Sequence, residues 1–448
     1  MESTRKQSIG QAISAKMHAF FTDPQIETIA KEVKFVQRQS RMTGLGFVQT
    51  MVMGFLERPS ASLNELAQVS QDLGMPISPQ GLDERINPFS VAFLQALLPY
   101  AMGWFQQQCP LALPFLRFFR GIYILDSTFV RLPTAMQAEY PGAGGSGSSA
   151  SLKIQLVFEF LSGQFAQICL QPGRNADQAY RDYLQVVRPG SLILMDLGYF
   201  CLDAFAQIIK AQAYFLSRYH YPTALFTTTG QRIDLRQFLS HKGPDPIEIA
   251  VTLGSRKQHH LACRLIAQRV TAETRARRCR KAKRKARQHY KVLTQTYLDL
   301  LGWNLFVTNV PASVLCAAQV AWLYRLRWQI ELLFKLWKSY AGLQTRGLWR
   351  RDRLLTELYA KLIGCVLFQF LTAPVRIPDA QWQGRELSLF VAHKILARFA
   401  QRLTGAILNH TLLSSLIERW LNDLLRFGLK QHRKKRPNVC QLFAPSLA

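Results

Sequence analysis

The first 115 residues carry the apolar spacing of amphipathic helices. Ser62 and Glu65 form a capping box, in which each side chain satisfies a free backbone N–H of the other residue, and this box predicts a helix over Leu63–Leu73. Pro79 predicts a second, short helix over Gln80–Ile86, because proline suits the first helical turn. Two such helices around a glycine turn resemble a helix-turn-helix, although ordinary helix packing gives the same pattern.

From about Arg120 the pattern changes to short apolar runs, which predict β-strands. Runs without polar alternation are typical of strands that are buried on both faces. Their order is three strands, a helix, a strand, a helix and a strand, which is the order of a ribonuclease-H-like α/β core. The predicted strands are Gly121–Leu125, Leu152–Phe160, Gln164–Leu170, Ser191–Met195 and Tyr214–Arg218, and the first helix is predicted over Ala176–Val187.

Residues 222–302 interrupt that core and combine strands with a basic segment. Ile247–Leu253 and Leu261–Val270 are predicted strands, and Trp303–Val310 is the final core strand. A helix over Val320–Tyr340 and further helices follow. An apolar stripe near the C-terminus indicates core packing, with a dimer contact as the alternative. Its residues are Leu413, Leu416, Ile417, Trp420, Leu421 and Leu424.

Charge narrows the range of expected partners. The 448 residues include 56 Lys and Arg against 28 Asp and Glu, a net charge of +28, and 48% are hydrophobic, which excludes global disorder. Such a surplus repels itself in a compact chain unless a polyanion compensates it, so we expect nucleic acid, with an anionic membrane surface as the alternative. Fourteen Lys and Arg against one acid lie between Arg256 and Lys291. We expect an ordered hairpin or helix that contacts phosphates there, with general electrostatic attraction as the alternative.

Other classes of protein find little support in the sequence. No two of the eight cysteines have a C-x-x-C spacing, so neither a zinc site nor a disulfide framework is predicted. The polar N-terminus predicts no secretory signal. The longest apolar run, Leu362 to Pro374, is too short to span a bilayer and predicts a buried helix.

Asp126 and Asp196 directly follow two of the predicted apolar strands. Carboxylates at the ends of adjacent parallel strands meet at one edge of a sheet. Two carboxylates so close repel each other, and the pair therefore implies a cation. Magnesium takes oxygen ligands and suits phosphate chemistry. The pattern thus predicts a magnesium site for chemistry on phosphates.

A third carboxylate, Glu331, shares a face of the predicted helix with Tyr324, Arg327 and Lys338. These four residues fall within about 60° of arc at 100° per residue. Arg327 suits a bidentate phosphate contact and Lys338 suits a point-charge contact. The alternative is a surface helix with a salt bridge between Arg327 and Glu331.

Together these motifs resemble those of the DDE transposases of the bacterial insertion-sequence 4 type. The motif Tyr, two residues, Arg, three residues, Glu, six residues, Lys is intact as Tyr324, Arg327, Glu331 and Lys338, the motif Asp-x-Gly-Tyr-Phe begins at Asp196, and Asp-Ser-Thr begins at Asp126. The resemblance covers about residues 55 to 375.

The resemblance implies a cut-and-paste transposase, an endonuclease that cleaves DNA at transposon ends and joins them to target DNA. Asp126, Asp196 and Glu331 would hold two Mg²⁺ ions, with Mn²⁺ able to substitute. One metal would activate water or a DNA 3′-hydroxyl, and the other would stabilise the leaving 3′ oxygen.

Tyr324, Arg327 and Lys338 would then grip the DNA strand near the transposon end. Trp303 would stack on a flipped base, with simple packing in an apolar strand as the alternative. The basic segment would supply further DNA contacts from Arg277, Arg278, Arg280, Lys281, Lys283, Arg284 and Lys285. The implied partners are double-stranded DNA, as terminal inverted repeats and target, and a second copy in a paired-end complex. No membrane partner is implied, and the expected location is the bacterial cytoplasm at the nucleoid.

The implied fold is α/β, with a ribonuclease-H-like catalytic core interrupted by a β-rich basic insertion and flanked by helical N- and C-terminal regions. Its segments are a helical DNA-end-binding region at 1–115, the first part of the core at 116–221, the insertion at 222–302, the second part of the core with the glutamate helix at 303–375, and a helical region suited to dimerisation at 376–448.

Two other functions agree with the same sequence. One is a nuclease of this fold that hydrolyses DNA without strand transfer. The other is a DNA-binding relative that has lost catalysis, and the intact acidic triad and helix motif argue against it.

Overall fold

A computed structural model describes residues 2–38, 40–105, 116, 118–144, 148–240, 242–243, 246–254, 261–344, 350–376 and 385–430. Strands and helices mix in the middle of the chain, and the described residues on either side of them are mainly helical. The strands are β1 (Ile122–Leu132), β2 (Ala150–Glu159), β3 (Gln164–Pro172), β4 (Leu192–Met195), β5 (Tyr214–Arg218), β6 (Ala224–Phe226), β7 (Ile247–Gly254), β8 (Leu261–Arg269) and β9 (Trp303–Thr308).

The α-helices of the described residues are α1 (Glu2–Phe20), α2 (Pro24–Glu32), α3 (Gly44–Glu57), α4 (Leu63–Asp72), α5 (Pro79–Arg85), α6 (Pro88–Trp104), α7 (Leu202–Lys210), α8 (Leu235–Ser240), α9 (Ala272–Gln288), α10 (Gln295–Leu300), α11 (Ala317–Tyr324), α12 (Trp328–Ser339), α13 (Arg351–Arg376), α14 (Leu389–Ala406) and α15 (His410–Phe427). The predicted α/β class is therefore confirmed.

The chain divides into two compact units. The first contains the described parts of Met1–Leu111, Ser127–Asn175 and Glu331–Leu442. The second contains the described parts of Ala112–Asp126 and Ala176–Ile330.

The first unit is built on long buried helices. α13 packs on α3 and α6, and α15 packs on α1 and α14. The apolar stripe of α15 is fully covered in this arrangement, so its interpretation as core packing is confirmed. Among the described helices, Arg351–Val375 alone is long and apolar enough to cross a membrane, but 94% of its apolar 18-residue window is buried in the protein, as in the core helix of a globular domain.

Local signals account for the small elements of this unit. Ser62 and Glu65 close the predicted capping box at the start of α4, and Ser78 caps α5 ahead of its proline. Between α4 and α5, Gly74 has a φ of +76°, a left-handed conformation that glycine adopts without strain. β2 and β3 form the predicted antiparallel pair, next to the second half of β1.

The sheet of the second unit contains seven strands in the order β1-β4-β5-β9-β8-β7-β6. β4 pairs in parallel with the first half of β1 and with β5, whereas β9 is antiparallel to both β5 and β8. The strands predicted for the basic insertion thus continue the sheet beyond β9. The short strand β6 was not predicted.

Three predicted elements are wrong in extent or type. Two 3₁₀ turns, Asp177–Ala179 and Asp182–Val186, replace the helix predicted over Ala176–Val187. They bury Tyr180 and Tyr183, whose ring centroids lie 6.0 Å apart, and this tertiary packing overrides helix propensity.

The other two corrections concern the predicted site. β1 extends to Leu132 rather than ending at Leu125, because Thr128, Val130 and Leu132 alternate with exposed residues in the pattern of a half-buried strand. Asp126 therefore lies inside β1 and not at its end. The single helix predicted over Val320–Tyr340 is two helices, α11 and α12, joined by a 3₁₀ turn at Arg325–Arg327.

Six cysteines lie within the described residues, and all six are free. Two of them are buried: Cys365 in the first unit and Cys263 in the second. Burial raises the pKa of Cys263 to about 12 and raises that of Cys365 as well.

His393 on α14 is buried against aromatic rings of the first unit. Its ring centroid lies 5.4 Å from that of Phe368 and 6.1 Å from that of Tyr340. Burial lowers the pKa of His393 from 6.5 to about 4, because the charged imidazolium is poorly solvated there.

We predict that His393 makes the folded state acid-sensitive. As the pH falls below 6.5, His393 becomes protonated in the unfolded chain. In the folded chain it stays neutral down to about pH 4. Protonation therefore favours the unfolded state, and the free energy of unfolding falls. Denaturant titrations measure the free energy of unfolding at each pH. Between roughly pH 7.5 and pH 5, this free energy should fall by about 2 kcal/mol less in His393→Phe than in the unchanged protein. The exposed His410→Phe is the control, and identical pH slopes in all three proteins would contradict the prediction.

Candidate active site and nucleic-acid interface

Asp126 and Asp196 are held in register by two parallel strands of the second unit. The last paired residues of β1 and β4 are Leu125 and Met195, and each aspartate follows directly. Neighbouring strands lie about 4.8 Å apart, and in-register residues of parallel strands point to the same face. Both aspartates are partly exposed, whereas Leu125 and Met195 are buried. The two aspartates are therefore neighbours across this strand pair, and both positions are partly exposed.

The 3₁₀ turn between α11 and α12 aims Tyr324 and Arg327 at these two strands. The Arg327 Nη1 donates to the Asp126 Oδ2 at 2.9 Å. The Tyr324 hydroxyl lies 3.4 Å from the Asp196 Oδ1 and 3.3 Å from the Met195 carbonyl oxygen. A 3₁₀ turn has three residues per turn, so residues i and i+3 eclipse, and the two side chains leave the backbone on one side.

The ion pair between Arg327 and Asp126 is largely shielded from water, since the two side chains are 14% and 19% exposed. The positive charge of Arg327 offsets the repulsion between the carboxylates of Asp126 and Asp196. Tyr324 is also buried. Its burial, and secondarily the charge of Asp196, raise the pKa of the phenol, which therefore stays protonated and acts as a donor.

The residues after Asp196 form a tight turn with little space around Gly198. Leu197–Tyr199 is a 3₁₀ turn, and Tyr199 and Phe200 are buried. A Cβ at Gly198 would lie only 3.2 Å from the Asp177 Oδ2. No spacing argument in the sequence linked Asp177 to the predicted metal site.

Glu331 and Lys338 lie on α12 and belong to the first unit. The apolar side of this helix is buried as predicted, and Trp337 packs edge to face on Phe165 of β3 with centroids 5.3 Å apart. Lys338 is half-buried, which lowers its pKa, and Glu331 is partly exposed. The gathering of Glu331 with the two aspartates stays a prediction.

The two aspartates fit a hard divalent cation in ligand chemistry, because paired carboxylate oxygens are the ligands that Mg²⁺ takes. Within the described parts of the chain, no group of three or more His, Cys, Asp or Glu side chains is placed to hold a metal ion. Arg327 supplies the counter-charge of Asp126 instead.

The predicted basic segment forms the helix α9. Its N-cap Thr271 accepts a hydrogen bond from the Thr274 N–H. Most of the predicted DNA-contacting side chains on α9 are exposed, namely Arg277, Arg280, Lys281, Lys283, Arg284 and Lys285. They present a dense positive surface to solvent.

Arg278 differs from its neighbours on α9 because it faces the sheet. It donates to the carbonyl oxygens of Leu301 and Trp303 and to the Asn304 Oδ1, at 3.3, 3.1 and 2.7 Å. Burial lowers its pKa. Arg278 thus anchors the helix to β9, a role that the sequence did not indicate.

Trp303, the first residue of β9, is only 8% exposed. The Arg269 guanidinium lies over its ring, 4.8 Å from the centroid. This burial agrees with the packing alternative for Trp303, and stacking on a base stays a prediction.

Comparison with known proteins decides the family. Residues 117–367, more than half of the chain, match the family model described as the transposase DDE domain. This chain belongs to that transposase family. The resemblance inferred from the motifs is thereby confirmed.

Curated relatives extend the similarity over almost the whole transposase. The transposase for insertion sequence element IS231F of Bacillus thuringiensis subsp. israelensis is 28% identical over 449 residues, which cover 96% of this chain and 94% of that protein. The IS231E transposase of B. thuringiensis subsp. finitimus is 29% identical over 453 residues, with the same coverage. The IS1151 transposase of Clostridium perfringens is 26% identical over 455 residues and 96% of each chain. The chain is therefore a transposase of the insertion sequence type.

We predict that Arg278 stabilises the second unit whereas its neighbour Arg277 does not. Arg278→Ala leaves the acceptors on Leu301, Trp303 and Asn304 without this donor and should cost about 1–3 kcal/mol of stability. Arg277→Ala, at an exposed position, should change stability by less than about 0.5 kcal/mol. Thermal unfolding combined with hydrogen exchange of the α9 amides measures both effects. Equal effects of the two substitutions would contradict the assigned anchor.

Proposed function

We propose that this transposase cleaves DNA at the ends of its insertion sequence and joins them to target DNA in a metal-dependent reaction. Asp126, Asp196 and Glu331 would hold two Mg²⁺ ions, with Mn²⁺ able to substitute. When bound, these ions supply activation of the nucleophile and stabilisation of the leaving 3′ oxygen. The single observation that carries the proposal is the register of β1 and β4, which sets Asp126 beside Asp196.

In this proposal the residues around the aspartates bind and orient the DNA strand. Arg327 has five N–H donors in a planar fork, and its Nη1 donates to Asp126. A guanidinium beside the aspartates suits a scissile or flanking phosphate, because its fork matches phosphate oxygens. Tyr324 holds the end of β4 through Met195 and Asp196. Lys338 adds a positive charge from the same motif.

We assign the fold of the catalytic part to the ribonuclease-H-like class. Support comes from the succession of β1, β2 and β3, followed by the parallel strands β4 and β5. The β-rich insertion would then be the segment between β5 and β9, which contains β6, β7, β8 and α9.

The substrate in this proposal is double-stranded DNA, both as terminal inverted repeats and as target. The net charge of +28 and the exposed Lys and Arg side chains of α9 support an anionic polymer as partner. The short helices α4 and α5 would read the inverted repeats. Two ends must be paired before joining, so we further propose a homodimer in the complex, acting in the bacterial cytoplasm at the nucleoid.

We predict that Asp196→Asn abolishes cleavage and joining but leaves end binding within about two-fold, because it removes a metal ligand and hardly any phosphate contact. Strand transfer of precut ends with Mg²⁺ or Mn²⁺ measures joining, and a gel-shift titration measures binding. The exposed Asp203→Asn on α7 is the matched control and should stay active.

Each outcome of this experiment separates the functions considered. Joined products that persist in Asp196→Asn would remove this residue from the chemistry. Hydrolysis without joining by the unchanged protein would favour a nuclease. Tight binding without cleavage in either metal would favour a relative that acts only by occupancy.

We also predict a steep loss of DNA affinity with salt, to which α9 contributes directly. Each neutralised phosphate adds about 0.9 to the slope of log K against log salt. The double substitution Lys281→Gln and Arg284→Gln should therefore lower that slope by roughly 2. Exposed lysines on other helices serve as the control pair, Lys31→Gln and Lys210→Gln, and should leave it unchanged. An unchanged slope in the α9 variant would place α9 outside the DNA interface.

A further inference from the structure

The basic helix α9 has one apolar face, and this face borders a groove of the second unit. Ala282 and Ala286 lie one turn apart on it, and Ala286 alone among the residues of α9 is buried. After the helix the chain turns back, with the Lys291 N–H donating to the Ala286 carbonyl oxygen at 2.9 Å, and α10 begins at Gln295. This α9–α10 groove has a volume of about 520 Å³. Sites that bind ligands typically have volumes of about 300–1,000 Å³.

Apolar side chains make up much of the lining of the α9–α10 groove. Tyr221 and Tyr297 line it with ring centroids 6.4 Å apart, and Leu293 lies beside them. Val292 also lines the groove, although 97% of this residue is exposed. Packing in the free protein therefore does not stabilise Val292. An exposed apolar side chain that continues an apolar groove is a feature of interaction sites.

Positive charge surrounds this apolar surface. Lys285 and Lys291 line the groove, and no Asp or Glu of the described residues does so. The whole of α9 carries nine Lys and Arg against a single acid, Glu273. A partner that fits the groove must therefore be anionic and must also present apolar groups.

Three kinds of partner meet these requirements to different degrees. Duplex DNA is anionic, but it presents phosphates and mostly polar base edges. A second copy of this chain carries a net charge of +28 and is repelled by the same surface. An acidic protein segment with apolar anchor residues complements both the charge and the apolar lining.

We propose that the α9–α10 groove docks an acidic amphipathic segment of a partner protein. Apolar anchors of the segment cover Val292 and Leu293, and its carboxylates lie against Lys285 and Lys291. Lys285 is also a predicted DNA contact, so the docked segment and DNA compete for it. This regulatory consequence rests on the proposed function, whereas the docking itself does not.

The test uses two labelled helical peptides of equal length with the same glutamates. One peptide carries Leu and Phe at positions i, i+3, i+4 and i+7, and the other carries Ser at these positions. Fluorescence anisotropy with the full-length protein, without DNA, measures both affinities. The anchored peptide should bind at least about 10-fold more tightly than the serine peptide, because burial of one large apolar side chain contributes roughly that factor.

Val292→Ser should weaken binding of the anchored peptide by about 5- to 10-fold and leave the serine peptide unaffected, because the change removes an apolar contact and no charge. Tyr290→Asn is the matched control and should bind both peptides normally. Tyr290 is 98% exposed in the same turn but does not line the groove, and its left-handed φ of +51° suits asparagine. Thermal unfolding should show both variants to be as stable as the unchanged protein, since both positions are exposed.

Equal affinity of the unchanged protein for the two peptides would overturn the proposal, as would equal losses in Val292→Ser and Tyr290→Asn. A duplex oligonucleotide that loses affinity in Val292→Ser by the same factor as the anchored peptide would assign the groove to DNA instead. Self-association that Val292→Ser abolishes would assign it to a second copy of the chain.

Competition separates the docking site from the proposed function. The anchored peptide should displace duplex DNA from the unchanged protein, and binding of this peptide without loss of DNA would overturn the competition. If the protein joins DNA while Val292→Ser binds both peptides normally, the docking site fails and the proposed function stands. If the peptides bind as expected but the protein neither cleaves nor joins DNA, the proposed function fails and the docking site stands.

Discussion

The organisation of the site depends on the parallel register between β1 and β4. This register sets two like charges side by side, and a slip of one residue would turn one of them to the opposite face of the sheet. Neighbouring carboxylates repel each other, and a positive charge beside them offsets that repulsion. In the described structure that charge is Arg327, and Tyr324 donates to the second carboxylate. The 3₁₀ turn that joins α11 and α12 is what lets two side chains, three residues apart, reach two adjacent strands.

Sequence reasoning located the elements whose signals are local. The capping box of α4, the paired strands β2 and β3, and the buried run of β4 were all predicted, because capping and apolar periodicity act over a few residues. Sequence reasoning failed where contacts between residues far apart in the sequence determine the local structure. The segment 176–187 forms 3₁₀ turns rather than a helix, and this conformation buries two tyrosines. The helix predicted through Arg327 is interrupted by a 3₁₀ turn, which directs side chains to the strands. The motif residues were recognised, but the contact of Arg327 with Asp126 was not, because it joins positions 201 residues apart.

The basic helix shows how a strongly repulsive segment stays folded. Nine positive charges in α9 oppose helix formation, and among the residues of this helix only Ala286 is buried. Arg278 compensates by turning inward onto backbone carbonyls of Leu301 and Trp303, while its neighbours stay in solvent. Residues of one type, adjacent in sequence, therefore divide into a structural anchor and a charged surface. Composition alone indicated the surface, and only the geometry distinguishes the anchor.

The two buried thiols can report on local unfolding of this transposase. Cys365 lies within α13 of the first unit and Cys263 within β8 of the second, and burial keeps both protonated at neutral pH. A thiol in that state is inert to alkylating reagents, which attack the thiolate. Each cysteine becomes reactive only when its surroundings unfold, so mass spectrometry of labelled peptides can time the loss of structure in each unit separately, in one unmodified chain.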